Sequence, residues 1–191
     1  MTKRNSIHLI TLVGLALGLA TLFPVRAAAQ DKSPFEAGVN YNYVRSNAAP
    51  GQCGCFSLNG GAGWFALNLG KSLGAVAEIS GQHVGNPDNS GDGLNLVSYM
   101  FGPRYRWGKS RLQPFGQTLF GASHATGAIA TGGSGSYNAF AMAAGGGADV
   151  NLKPHLALRA FEADYFLTLF KNGVNDHQNN LRISAGLLFR F

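Results

Sequence analysis

The chain has 191 residues, 46% of them hydrophobic and 13% charged, with a formal net charge of +6. That length suits one domain rather than several. Lys3, Arg4 and Arg26 crowd the amino terminus, and without them the charge falls to +3, leaving no clustered basic surface of the kind that grips nucleic acid.

Lys3 and Arg4 stand before an apolar run over residues 10–23, which is followed by Ala27-Ala28-Ala29. This order of charged, apolar and small residues reads as a secretory signal peptide over residues 1–29, cut before Gln30. The run falls short of the ~20 apolar residues that a membrane-spanning helix needs. Residues 30–191 are then the working domain. Within them the recurring pattern is alternation, not the helical period.

The first segment, FEAGVNYNYVR, puts Phe35, Ala37, Val39, Tyr41 and Tyr43 on one face and Glu36, Gly38, Asn40 and Asn42 on the other, as a β-strand does. Cys53 and Cys55 follow in GQCGCFS. A CxC ring is tight, two cysteines cannot staple a fold, and no neighbour completes a metal site, so the pair is read as local to a loop. Residues 57–69 form a second segment whose small residues leave its phase open.

In the third segment, LGAVAEISGQH, Leu73, Ala75, Ala77 and Ile79 oppose Glu78, Ser80 and Gln82. Next comes GNPDNSGDG, where Asp88 and Asp92 sit among glycines. The distal Glu of a calcium loop is missing, so a solvated turn is expected. The fourth segment, LVSYMFGPRYRW, sets Val97, Tyr99, Phe101, Pro103, Tyr105 and Trp107 against Ser98, Gly102, Arg104 and Arg106.

Segments five to seven, residues 112–123, 137–150 and 155–166, are fainter because glycine and alanine fill their faces. Between five and six, ATGGSGSYN is glycine-rich but opens no helix, so it is read as a mobile loop rather than a phosphate cradle. In segment seven Glu162 and Asp164 share a face that Arg159 leaves. Either a bulge intervenes or Arg159 snorkels at an interface. The last segment sets Leu181, Ile183, Ala185, Leu187, Phe189 and Phe191 against Arg182, Ser184, Gly186, Leu188 and Arg190.

The connections alternate in length. Residues 70–72, 108–111 and 151–154 read as tight turns, whereas 46–56, 85–93, 124–136 and 167–179 read as longer loops gathered at the opposite end. Eight antiparallel strands of roughly 10 residues with this asymmetry match an all-β, eight-stranded, up-and-down transmembrane β-barrel. A soluble exported β-sandwich binding module would also alternate. Against it, Tyr41, Tyr43, Tyr105, Trp107, Phe189 and Phe191 gather near strand ends as interfacial girdles should.

Energy then assigns the faces, since an Arg at the lipid midplane of a barrel costs roughly 2–4 kcal/mol. Glu36, Glu78, Arg104, Arg106, Asp149, Glu162, Asp164, Arg182 and Arg190 are therefore expected to point inward. A barrel of eight strands has an interior that side chains just fill, so these acids and bases are expected to pair into a network rather than line an open pore.

With these residues in view, ISAGLLFRF resembles the carboxy-terminal strand of outer-membrane barrels, and GGGADVNLKPHLALRAFEADY resembles the seventh-strand hairpin of small OmpA-like, porin-like barrels. The resemblance implies a Gram-negative outer membrane and contact with its lipids and lipopolysaccharide. It also implies that Phe189 and Phe191 form a terminal signal read by the barrel assembly machinery. A monomer is expected, with no cofactor and no periplasmic domain after Phe191.

The role this suggests is structural, surface-interacting or weakly pore-forming. The rival is a barrel-fold lipid A-modifying hydrolase, which would need a Ser/His pair. Ser123 adjoins His124 and Asp176 adjoins His177, while His83 and His155 stand apart. Neighbours on a strand face opposite ways, so Ser123 and His124 could cooperate only in a loop. These histidines are read as polar groups near the headgroups, and the chain as no enzyme.

Overall fold

A computed structural model describes residues 34–46, 56–87, 92–108, 111–129, 133–171 and 176–191. The expected signal peptide, the Cys53 and Cys55 pair and Asp88 lie outside the described residues. Eight strands follow one another: β1 (Phe35–Ser46), β2 (Phe56–Asn68), β3 (Leu73–Val84), β4 (Leu94–Arg106), β5 (Leu112–Ile129), β6 (Gly133–Lys153), β7 (Leu156–Thr168) and β8 (Gln178–Arg190). Each pairs antiparallel with its neighbours in the chain, and β8 returns to pair with β1, closing a barrel. That topology removes the sandwich.

Closure places the carboxy terminus in the wall. Glu36 through Ser46 pair with Arg190 through Asn180, and Phe35 and Phe191 exchange backbone hydrogen bonds of 3.1 and 3.0 Å. Phe191 then stacks on Phe35, which stacks on Phe65, with ring centroids 6.2 and 5.7 Å apart. Phe191 thus extends the β1–β8 ladder by one backbone pair.

The faces separate by parity. In β3 the odd-numbered residues are exposed and the even-numbered ones buried from Leu73 to Gln82. Outward positions are apolar, as at Val39 (62% exposed) and Phe101 (69%), whereas Arg159 and Asp149 are fully enclosed (0%). A water-soluble chain would invert that arrangement. Hydrocarbon around the barrel is what makes it favourable.

Pairing also settles the phase of β2. Leu58, Ala62, Trp64 and Ala66 turn inward and Phe65 outward. Gly38 sits opposite Trp64 in register, and a β-carbon there would lie 2.5 Å from the indole. The missing side chain on β1 makes the space that the ring on β2 fills.

Two expectations need correction. Residues 124–136 are mostly strand, because the β5–β6 ladder runs on to Ile129 and Gly133. His124, and Gly133–Asn138 of the glycine-rich stretch, therefore belong to an extended hairpin. Past the membrane neither face must be apolar, so these strand ends carry loop-like composition. Gly127, at φ +110°, supplies a backbone conformation that other residues rarely adopt.

In β7 the structure takes the bulge: Arg159 opposes Gly186 and Glu162 opposes Ser184, so three steps on β7 meet two on β8. Ala160 and Phe161 both face out, and Arg159 turns in.

The bulge leans on Gly147, where a β-carbon would lie 2.1 Å from the Phe161 carbonyl oxygen. Gly147→Val is expected to prevent closure, read as loss of the fast-migrating folded band on unheated gels. Ala163→Val, on the neighbouring lipid-facing surface, is expected to leave that band intact.

Candidate functional site

Inward positions from six strands carry five carboxylates, Glu36, Glu78, Asp149, Glu162 and Asp164, and five guanidiniums, Arg104, Arg106, Arg159, Arg182 and Arg190. Formal charge in the lumen therefore cancels. The groups sort into three levels along the axis.

At the level of the short turns, Glu36 receives Arg106 (Nη1 to Oε1, 2.8 Å) and Arg190 (Nε to Oε1, 2.9 Å). Arg190 also donates to Gln113 at 3.0 Å and to Asn151. Glu36 and Arg190 belong to the first and last strands, so this cluster ties the closing seam from within.

At the middle level Arg159 donates to Asp149 (2.9 Å) and Glu162 (2.7 Å), and Gln117 bridges Arg104 (3.0 Å) to Glu162 (2.6 Å). Two like charges, Arg104 and Arg159, lie here together. Trp64 faces both, its ring centroid 4.4 and 4.5 Å from their Cζ atoms, and Phe115 faces both at 5.1 and 4.2 Å. The negative faces of the rings moderate what would otherwise be an unscreened repulsion.

At the third level Arg182 donates to Asp164 through Nε (3.0 Å) and Nη2 (2.7 Å), and to Glu78 across the lumen, with Phe166 beneath it. Beyond this floor the described lining carries no charge and mixes polar side chains with apolar ones such as Val44, Leu58 and Leu96. Ser98 and Ser123 bond at 2.6 Å, while the side-chain polar atoms of Asn42, Ser80 and Gln82 have no protein partner. Buried groups of that kind require water, so the outer half of the lumen is a place water must reach. Val44, Leu58 and Leu96 lie in the apolar cluster.

Glu36, Glu78, Arg104, Arg106, Asp149, Glu162, Asp164, Arg182 and Arg190 face the lumen, and the wall adds Arg159, which the sequence left between two positions, and Trp64, Phe115, Gln113 and Gln117. Trp64 stayed hidden because the phase of β2 was open. The spacing of Gln113 and Gln117 in a faint segment was the available signal for that face. Phe189 and Phe191 point outward, 52% and 57% exposed.

The histidines stand elsewhere. His83 bonds Asn95, His124 bonds Asn138, and His155 Nδ1 donates to the Arg190 carbonyl at 2.9 Å. Ser123 is buried against Ser98 and does not pair with His124, whose outward ring instead meets Ser136 (Nε2 to Oγ, 3.2 Å) and Asn138 (Nδ1 to Oδ1, 2.8 Å). Asp176 and His177 are exposed at the approach to β8. Among the described residues there is no group of three metal-ligating side chains.

Removing one partner of a buried ion pair costs roughly 3–5 kcal/mol. Arg159→Met is expected to destabilise the barrel on that scale, measured by urea unfolding in lipid vesicles. Adding Asp149→Asn and Glu162→Gln to it should recover most of the loss.

The barrel is similar to solved structures of small outer-membrane proteins. Neisserial surface protein A matches with a TM-score of 0.65 at 14% identity, over 83% of this chain and 98% of that one. Ail, the attachment invasion locus protein of Yersinia pestis, in complex with the heparin analogue sucrose octasulfate, matches at 0.54 and 17%, over 82% and 99%. The N-terminal β-barrel domain of Pseudomonas aeruginosa OprF matches at 0.54 and 14%, over 84% and 99%. No curated protein matches the sequence. The family model for the outer membrane protein beta-barrel domain matches residues 15–191, and the chain belongs to that family.

Proposed function

We propose that this protein is a monomeric, non-catalytic barrel of a Gram-negative outer membrane that presents its longer connections at the cell surface. Residues 1–29 export the chain, and the barrel assembly machinery reads Phe189 and Phe191. Its role is structural or surface-interacting, with at most weak conduction. Lipids and lipopolysaccharide are its immediate surroundings. Barrels of this class keep short turns on the periplasmic side and longer loops outside, which orients the strand ends at Ser46, Phe56, Val84 and Leu94 outward.

The observation that carries this reading is the lumen in which five guanidiniums meet five carboxylates, all on a closed wall. Each guanidinium is anchored by hydrogen bonds from Nε or Nη atoms, so a passing solute would have to displace paired charges at three successive levels. The printed names of two similar proteins, a surface protein and an attachment invasion protein, accord with a surface role.

In planar bilayers the protein is expected to show no stable wide conductance. The triple change Glu78→Ser, Asp164→Ser and Arg182→Ser, which strips one whole level, is expected to produce discrete channel steps. A wide steady pore in the unaltered protein would overturn the plugged-lumen reading. In cells, the protein is expected in outer-membrane fractions, with an epitope inserted between Asp88 and Asn89 accessible to antibody on intact cells. Recovery in the soluble periplasmic fraction would overturn the placement.

A further inference from the structure

His124, on the outer face of β5, is held at both ring nitrogens by side chains of β6. Nδ1 lies 2.8 Å from Asn138 Oδ1, and Nε2 lies 3.2 Å from Ser136 Oγ. An amide oxygen can only accept, so the bond to Asn138 makes Nδ1 the protonated nitrogen. In the neutral ring Nε2 then carries the lone pair, and the Ser136 hydroxyl donates to it. Serine, histidine and an orienting acceptor joined in that order activate a hydroxyl as a nucleophile, and geometry rather than sequence order identifies them. Strand pairing supplies the order here, setting Asn138 opposite His124 and Ser136 opposite Thr126.

The β3–β4 hairpin repeats half of this arrangement. His83 Nδ1 lies 2.8 Å from Asn95 Oδ1, but Gly93 stands two residues before Asn95, where Ser136 stands two before Asn138. A β-carbon at Gly93 would lie 3.1 Å from the His83 ring. That position touches the ring in both hairpins, and of the two only β6 puts a hydroxyl there. The histidine–asparagine bond is therefore a hairpin device in its own right. The serine is what β6 adds.

The depth of the site fits one kind of substrate. Toward the short turns the next outward pairs on β5 and β6 are Ala122 with Phe140 and Phe120 with Met142, whereas toward the loops it is Thr126 with Ser136. The outward surface thus turns from apolar to polar at the histidine, at the level where acyl chains join their headgroups. Ser136 is exposed there. Two exposed acids share this end of the barrel: Asp176 precedes β8, three strands from β5, and Asp92 precedes Gly93 and has a partner of its own. Neither replaces Asn138 at the ring.

We propose that Ser136, His124 and Asn138 are the nucleophile, general base and orienting group of an acyl-ester hydrolase on the lipid-facing wall. Such a site departs from the non-catalytic part of the reading above, which rests on the lumen and the family, and relies on its membrane placement. Ser136 Oγ attacks the ester carbonyl carbon while its proton passes to His124 Nε2. The bond from that carbon to the alcohol oxygen breaks, and His124 returns the proton to the leaving oxygen. Water, deprotonated by the same nitrogen, then splits the acyl-serine, releasing a fatty acid and restoring the hydroxyl. Thr126 brings a second hydroxyl beside the nucleophile, available to the developing oxyanion.

The test uses the full barrel folded in detergent micelles and a fluorophosphonate, which esterifies activated serines. The wild-type protein is expected to carry one adduct, on Ser136. Hydrolysis of a long-chain p-nitrophenyl ester should fall about a thousand-fold in Ser136→Ala and in His124→Gln, the scale on which a triad is disabled. His83→Gln should leave it unchanged. Asn138 positions the ring, so Asn138→Leu should lower kcat with KM little altered, and Asn138→Asp should restore it. Vesicles of phosphatidylethanolamine and purified lipopolysaccharide, each with labelled acyl chains, then show which lipid supplies the ester.

Absence of an adduct on Ser136, or unchanged hydrolysis in Ser136→Ala, would overturn the proposal and leave the three side chains as a hairpin staple. Release of acyl chains from neither lipid would overturn the membrane substrate. Adduct mapping needs no variant, so it decides even where a substitution prevents folding. Cell fractionation judges the membrane placement separately, because labelling in micelles does not depend on it.

Discussion

Within hydrocarbon every backbone N–H and C=O must find its partner in the protein, and for a sheet that means no free edge. The pairing of β1 with β8 is where this requirement is met, and the rest of the molecule follows from it. The first and last residues of the wall, Phe35 and Phe191, exchange backbone bonds, Phe65 extends their ring stack outside, and Arg190 reaches Glu36 inside. Three kinds of interaction thus converge on one seam, each acting on a different side of the same ladder.

A closed wall of eight strands fixes the room inside, and that room is shared between paired charges and inward apolar side chains such as Val44, Trp64, Leu119 and Phe166. Equal numbers of guanidiniums and carboxylates make the interior neutral as a whole, but neutrality alone would not hold Arg104 near Arg159. The rings of Trp64 and Phe115 against both guanidiniums, and Gln117 linking Arg104 to Glu162, are what make that proximity tolerable. Because replacing a buried ion pair by apolar residues is often neutral or better for stability, so many pairs are a poor device for strength alone.

Outside, the same alternation places one kind of residue against lipid tails and another against headgroups. Apolar rows give way to outward asparagines, each paired across its hairpin with a tyrosine on β1 and β7 or a histidine on β3 and β5. The β5–β6 hairpin carries the sheet onward past that boundary, where side chains no longer need to be apolar on either face.

Much of this was readable from alternation alone. Where one face was greasy and the other charged, as in β1, β3, β4 and β8, period two and the cost of charge in lipid were enough to fix strand, face and inward residues. The strand count and the barrel followed. Where both faces were small or apolar, local pattern had nothing to distinguish them. The phase of β2 was decided by Gly38 making room for Trp64, the inward turn of Arg159 by a bulge seated on Gly147, and the length of the β5–β6 hairpin by its ladder. Those are contacts between strands, set by register and by the space a neighbour leaves, and a single strand read by itself does not contain them.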